Sequence, residues 1–91
     1  MPYTLIYPHS YIRRARKFLH KHPEISGQYR KTLELLELDP YHPSLGLHSL
    51  GGRLKGLSSV SINLSYRITL ELEVRDKRII LINVGKHEQV Y

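Results

Sequence analysis

The run YRITLELEV, residues 66–74, alternates apolar and polar side chains without interruption. Its even-numbered positions are apolar and its odd-numbered positions are polar. Successive side chains of an extended chain point to opposite sides, so this pattern predicts a strand with one face in a core and the other in water. The strand is the element around which we place the rest of the chain.

Residues 57–84 as a whole predict a three-stranded antiparallel meander. Upstream of the central run, residues 60–64 also alternate, and the polar break at residues 63–65 can turn the chain. Downstream, a polar turn at residues 75–77 leads into residues 78–84. Four consecutive apolar residues in this last segment are typical of a central strand that is covered on both sides.

The N-terminal half predicts a strand followed by two helices. Tyr3–Tyr7 is a β-branched and aromatic stretch between two prolines, which favours a short strand. Ser10 is the predicted N-cap of a helix from Tyr11 to about His20. Pro23 is expected to open a second helix, whose apolar residues recur at helical spacing as far as Leu38-Asp39-Pro40.

This order of elements predicts an α+β fold with the chain order β-α-α-β-β-β. Two N-terminal antiparallel helices are expected to pack on one face of a mainly antiparallel sheet of three or four strands. Residues 1–91 are expected to form a single domain, because a chain this short supports only one modest core. The Gly- and Pro-containing segment 40–56 carries four leucines, so we expect it to be held against that core.

Composition narrows the classes of function. Fourteen Lys and Arg against eight Asp and Glu give a formal net charge of +6, which favours an anionic partner such as nucleic acid. A basic protein with no such partner, or one that binds an acidic protein, has the same composition. The absence of cysteine excludes disulfides and thiolate metal sites.

From the sequence we expect no cofactor, no metal and no small-molecule ligand. No carboxylate pair is placed to hold magnesium. No run of about 18 apolar residues is present, so we expect a cytoplasmic protein without a membrane partner.

Chemically active side chains collect near the ends of the predicted strands. They are His48, Arg53, Lys55, Arg67, Lys86, His87 and Tyr91. In an antiparallel meander the start of one strand lies near the end of the next, so Arg67 and His87 are expected to be neighbours, joined by His48 if its loop crosses the same edge.

This set of residue types is typical of phosphodiester cleavage in RNA. RNA supplies its own nucleophile, the 2′-hydroxyl, and needs a base, an acid and a cation for the developing charge. Imidazoles can fill both proton-transfer roles, and a guanidinium grips phosphate oxygens.

Each residue also has a plain structural interpretation. A single histidine in a small domain is more often a surface residue than a catalyst, and this interpretation is kept for His9, His20, His22 and His42. Arg67 alternates with glutamates and could pair with one across the sheet. The basic face of the first helix could serve solvation alone or lie along phosphates.

Three segments together resemble the RelE/ParE toxin superfamily, and most of all its YafQ-like branch. These are HSLGGRLKG at residues 48–56, SYRI at 65–68, and VGKH at 84–87 with a final Val90-Tyr91. The resemblance covers essentially the whole chain. It implies a bacterial toxin of a type II toxin-antitoxin pair that is neutralised by a cognate antitoxin protein. Such a toxin cleaves mRNA on the ribosome without a metal and so inhibits translation.

The resemblance also implies a role for each site residue. His48 and His87 would transfer protons, although the resemblance does not say which is the base and which is the acid. Arg67 would stabilise the phosphate. Tyr91 would stack on a base or assist the chemistry. The remaining cations would contact RNA or the ribosome: Arg53, Lys55 and Lys86.

Two departures from the family pattern leave other functions open. Ser61 and Ser65 stand where YafQ-like sequences carry a histidine and an aspartate, and neither serine can replace those groups at neutral pH. One alternative is a ParE-like inhibitor of DNA gyrase, which is a binding protein without catalytic residues of its own. Another is a degenerate member that only binds its antitoxin.

Overall fold

The computed structural model describes residues 2–86, which form five strands and two α-helices. In chain order these are β1 (Thr4–Ile6), α1 (His9–Lys21), α2 (Ser26–Leu38), β2 (His48–Ser49), β3 (Ser58–Ser61), β4 (Tyr66–Glu73) and β5 (Arg78–Lys86). Short 3-10 turns occupy Pro23–Ile25, Pro43–Leu45 and Gly52–Leu54. Neither α-helix in the described range is long and apolar enough to cross a membrane.

The strands form one mixed sheet in the order β1-β5-β4-β3-β2. Strands β3, β4 and β5 are the predicted antiparallel meander, but the prediction of a mainly antiparallel sheet of three or four strands is wrong. β1 pairs with β5 in parallel, which the long connection between these two strands permits. β2 adds a fifth strand that is only two residues long, which is too short to show any periodicity in the sequence.

The prediction that the two helices form an antiparallel N-terminal pair is also wrong. α1 packs closely along β5, and no comparably close approach joins α1 to α2 within residues 2–86. The helices meet through the Tyr11 and Tyr29 hydroxyls, which are 2.7 Å apart. The far ends of two long side chains make this contact, so the helix backbones are not packed tightly against each other.

The helix starts differ from the predicted ones. α1 begins at His9, where the carbonyl oxygen of Pro8 accepts a hydrogen bond from the Ile12 amide at 3.0 Å. Ser10 lies inside the first turn, so its predicted role as N-cap is wrong. α2 begins at Ser26, because Pro23–Ile25 form a 3-10 turn ahead of it.

A bulge in β5 changes which side chains reach the core. Thr69 pairs with Asn83 and Leu70 pairs with Leu81, so Ile82 is left as an extra residue. The core side chains of β5 are Ile79 and Leu81 before the bulge and Val84 after it, so they change from odd to even numbers. β5 lies inside the sheet, although the middle position belongs to β4.

The core lies between the helices and one face of the sheet. Its fully buried side chains include Tyr11, Leu36, Leu45, Ile68, Leu70, Ile79 and Leu81. Leu45 comes from the segment predicted to be held against the core and is 2% exposed, which confirms that prediction. On the opposite face of the sheet, β4 presents the polar side chains of Arg67, Thr69, Glu71 and Glu73.

We expect the buried pair Tyr11 and Tyr29 to make the protein less stable at alkaline pH. Burial, and then Tyr29, raise the pKa of Tyr11 far above its ordinary value, and burial also raises the pKa of Tyr29. Since these folded-state pKa values exceed the unfolded ones, the stabilisation is complete below about pH 10 and is lost as the pH rises beyond it. The free energy of unfolding, measured by urea titration, should fall above about pH 10. The Tyr11→Phe variant should show a shallower fall, and an unchanged slope would contradict this account.

Candidate functional site

Arg67 lies on the face of β4 that points away from the core, and neutral acceptors hold its guanidinium. Nε donates to Ser59 Oγ at 2.8 Å, and Nη2 donates to the carbonyl oxygen of Gly46 at 2.9 Å. A longer bond runs from Nη2 to the Ser59 carbonyl oxygen at 3.3 Å. These acceptors orient the guanidinium plane.

His48 lies beside this guanidinium. Its Nδ1 is 3.3 Å from Arg67 Nη2 and 3.2 Å from the carbonyl oxygen of Gly46. The predicted approach of His48 to Arg67 is therefore found. The two contacts belong to different tautomers: when Nδ1 carries the proton it donates to the Gly46 carbonyl and Nε2 has the lone pair of a general base, whereas when Nδ1 accepts from Arg67 Nη2 the proton is on Nε2. We refer to His48, Arg67 and their anchors Ser59 and Gly46 as the His48–Arg67 cluster.

Local backbone structure brings the parts of this cluster together. Gly46 ends the 3-10 turn Pro43–Leu45 with φ of 56°, in the left-handed region that glycine adopts without steric cost. The chain then enters β2, where His48 pairs with Ser59 of β3. Burial of Leu45 therefore fixes the loop from which Gly46 and His48 reach Arg67.

Sequence reasoning missed the two anchors, Ser59 and Gly46. Ser59 is fully buried and falls on the same face as Arg67, so the alternation of polar residues in β3 was the signal that could have revealed it. Within residues 2–86, the positions directly across the sheet from Arg67 are not glutamates. Its cross-strand neighbours are Ser61 and Gly85.

The other predicted site residues do not all join the cluster. Arg53 and Lys55 are exposed in and after the 3-10 turn Gly52–Leu54. Lys86 is paired with Tyr66, so it belongs to the opposite face of the sheet from Arg67. His87 and Tyr91 lie outside the described residues.

The two serines at the departures from the family pattern lie in or beside the turn between β3 and β4. Ser61 Oγ donates to the Asn63 carbonyl oxygen at 2.7 Å. The Ser65 amide donates to Asn63 Oδ1 at 2.8 Å. Asn63 also accepts from the Tyr66 amide, so these residues build the turn that was predicted here.

A basic groove of about 450 Å³ lies on the helix side of the sheet, between α1 and the ends of β4 and β5. We call it the α1 groove, and its polar lining includes Arg14, Lys17, Lys21, His22, Tyr66 and Lys86. The sequence left the purpose of this basic helix face open. Across residues 2–86, no group of three or more potential metal ligands is present in the cluster, the groove or elsewhere.

Comparison with known proteins shows similarity in structure without detectable similarity in sequence. No protein-family model and no curated protein matches the sequence. YafQ from E. coli matches 98% of this chain and 98% of its own with a TM-score of 0.79 at 14% identity. A chain of the E. coli DinJ–YafQ toxin-antitoxin complex matches 100% of this chain and 99% of its own with a TM-score of 0.77 at 16% identity.

A third match is the YoeB/ParE toxin from Agrobacterium tumefaciens, with a TM-score of 0.73 at 14% identity, over 92% of this chain and 98% of that one. The protein therefore has the fold of RelE/ParE-type toxins, as the sequence resemblance implied.

Proposed function

We propose that this protein, which shares the fold of RelE/ParE-type toxins, is the toxin of a bacterial type II toxin-antitoxin pair and cleaves mRNA on the ribosome. The observation that carries the proposal is the His48–Arg67 cluster. There an imidazole lies 3.3 Å from an oriented guanidinium on the outer face of the sheet. A proton-transfer group beside a fixed cation is the arrangement that RNA cleavage through the 2′-hydroxyl requires.

The reaction follows from the chemistry of these groups. A base removes the proton of the 2′-hydroxyl, and the resulting oxygen attacks the adjacent phosphorus. Arg67 stabilises the added negative charge, because the guanidinium is oriented before the substrate arrives. An acid then protonates the departing 5′ oxygen. The products are a 2′,3′-cyclic phosphate, which water can hydrolyse to a 3′-phosphate, and a 5′-hydroxyl.

We assign the two proton transfers to His48 and His87 together, by the family resemblance. Tyr91 would stack on a base or assist the chemistry, and Arg53, Lys55 and Lys86 would bind RNA or the ribosome. Ser61 and Ser65 supply no proton-transfer group at neutral pH, so the two histidines must carry both steps.

A cognate antitoxin is part of the same proposal. The net charge of +6 favours an acidic, partly disordered partner that folds on binding. DinJ–YafQ, one of the similar structures, is a toxin-antitoxin complex. We propose that the antitoxin covers the His48–Arg67 cluster or displaces the elements that form it, and a complex that left the cluster open would contradict simple occlusion.

The experiment that tests the function is cleavage of a reporter mRNA by the purified protein, with and without ribosomes. We expect breaks only when ribosomes translate the message, mapped by primer extension and carrying 5′-hydroxyl ends. No breaks and no inhibition of translation would contradict the proposal. Inhibition of gyrase supercoiling by the same preparation would favour the ParE-like alternative, whereas binding to antitoxin alone would favour a degenerate toxin.

A further inference from the structure

The α1 groove is lined by positive charges that take no part in the chemistry of the His48–Arg67 cluster. Arg14, Lys17 and Lys21 follow one another on α1 at intervals of three and four residues, so they lie on neighbouring turns of one helix face. Lys86 adds a fourth cation from the end of β5. Among the described residues that line the groove, none is acidic.

Two of these cations, Lys17 and Lys21, form no ion pair with an acidic side chain within residues 2–86. The ion pairs found within residues 2–86 involve His22 with Glu24, and Arg78 with Glu73 and Asp76, and none involves Lys17 or Lys21. Both lysines are exposed. Their positive charges are therefore available to a phosphate without breaking an existing pair.

The floor of the groove is aromatic and polar. The rings of Phe18, His22 and Tyr66 contact one another, with centroids 4.9 to 5.1 Å apart. Tyr66 Oη and His22 Nδ1 are 3.2 Å apart, and both rings line the groove. Cations beside aromatic rings are the combination with which proteins hold single-stranded nucleic acid.

The groove is also anchored to the sheet at the bulge in β5. Arg14 Nη1 donates to the Ile82 carbonyl oxygen at 3.0 Å, which fixes one guanidinium at the groove wall. Arg14 is exposed, so its charge contributes to the potential inside the groove. The extra residue of the bulge thus positions a cation as well as shifting the core register.

The α1 groove and the His48–Arg67 cluster lie on opposite faces of the sheet at the same end of β4. Tyr66 and Arg67 are consecutive in β4, and their side chains point to opposite faces. They pair with Lys86 and Gly85 at the end of β5. An RNA strand bound at Arg67 would therefore enter the groove by passing around this end of β4.

We propose that the α1 groove binds the sugar-phosphate backbone of the single-stranded RNA that flanks the cleaved phosphate. The inference rests on the proposed function for the identity of the strand, and it deepens that function by adding a second binding surface on the opposite face of the sheet. Lys17 and Lys21 contact phosphates, and the exposed parts of the His22 and Tyr66 rings contact a base. An acidic polypeptide would use the lysines in the same way but would gain less from the aromatic floor.

The test measures binding without cleavage. The probe is a fluorescein-labelled, 2′-O-methylated oligoribonucleotide, which lacks the 2′-hydroxyl nucleophile, and fluorescence anisotropy is recorded over a range of salt concentrations. The double variant Lys17→Gln/Lys21→Gln should bind about 10-fold more weakly than the wild type. Its slope of log affinity against log salt should fall by about 1.4, because each phosphate contact in a single strand contributes about 0.7.

The matched control is Arg13→Gln/Arg16→Gln, which removes the same charge from exposed positions of the same helix that do not line the groove. It should keep its affinity within about twofold and retain the wild-type salt slope. Equal losses in the two double variants would show that net charge alone matters and would overturn the proposal. Circular dichroism on both variants checks that α1 is intact.

Binding of poly-L-glutamate distinguishes an acidic polypeptide from RNA as the occupant of the groove. Cleavage of mRNA distinguishes failure of the groove proposal from failure of the nuclease proposal. If poly-L-glutamate binding depends on Lys17 and Lys21 and oligoribonucleotide binding does not, the groove holds an acidic polypeptide and the RNA proposal is overturned. If the wild type fails to cleave mRNA but its RNA binding still depends on the two lysines, the nuclease proposal fails and RNA binding by the groove stands. If the wild type cleaves mRNA but its RNA binding does not depend on the lysines, the groove proposal fails and the nuclease proposal stands.

Discussion

Replacing Arg67 with glutamine should lower ribosome-dependent mRNA cleavage by about 100- to 1,000-fold. The change removes the positive charge that faces the developing phosphorane, together with the bonds that hold it to Ser59 and Gly46. We expect the loss in the rate of the chemical step, since charge stabilisation acts most strongly in the transition state. Single-turnover cleavage of a reporter mRNA on saturating ribosomes measures this step directly.

Two further variants make the Arg67 result specific. Arg75→Gln removes the same charge from an exposed turn and should cleave at the wild-type rate. Arg67→Lys keeps the charge but loses the planar fork that reaches Ser59 and Gly46 together, so it should recover only part of the activity. Thermal unfolding of all three variants monitors folding. Wild-type cleavage by a folded Arg67→Gln protein would exclude Arg67 from the reaction.

Replacing His48 with glutamine should lower cleavage by about 100- to 10,000-fold, which is the range that a positioned proton-transfer group contributes. Glutamine preserves hydrogen bonding to the Gly46 carbonyl but cannot exchange a proton near neutral pH. We expect one limb of the pH dependence of cleavage to disappear as well. The cleavage rate of the variant should be measured from mildly acidic to mildly alkaline pH beside the wild type.

The control for His48 is His20→Gln, which changes an exposed histidine of α1. It should leave both the rate and its pH dependence unchanged. A uniform loss of rate with both limbs of the pH profile retained would indicate that His48 positions Arg67 and moves no proton. Growth arrest that persists in the His48 variant without mRNA breaks would point to the gyrase-inhibiting alternative.

Some elements of the fold were predictable because the information is local. The alternation in residues 66–74 determines that Arg67 and Ile68 point to opposite faces of β4, whatever else the chain does. The meander of β3, β4 and β5 follows from neighbouring alternating runs and the polar turns between them. The spacing of leucines likewise indicated that segment 40–56 is held against the core.

Other elements depended on contacts between distant residues. β1 pairs with β5 across more than seventy positions, from Thr4 with Arg78 to Ile6 with Ile80, and no local pattern encodes such a partner. The two-residue β2 has no period of its own and exists because β3 offers it an edge. The bulge at Ile82 appears only when the strands are aligned, and the contact between the Tyr11 and Tyr29 hydroxyls forms only when the two helices come together.

The sequence by itself determined the antiparallel meander that carries Arg67, the face on which Arg67 lies and the types of residue available for RNA chemistry. Tertiary structure alone decided that Ser59 and Gly46 anchor the guanidinium, that His48 lies beside it, and that α1 and the end of β5 enclose a basic groove. The physical reason is that periodicity reports which way a side chain points from its own strand or helix. The position of its neighbours depends on how all the elements share one core.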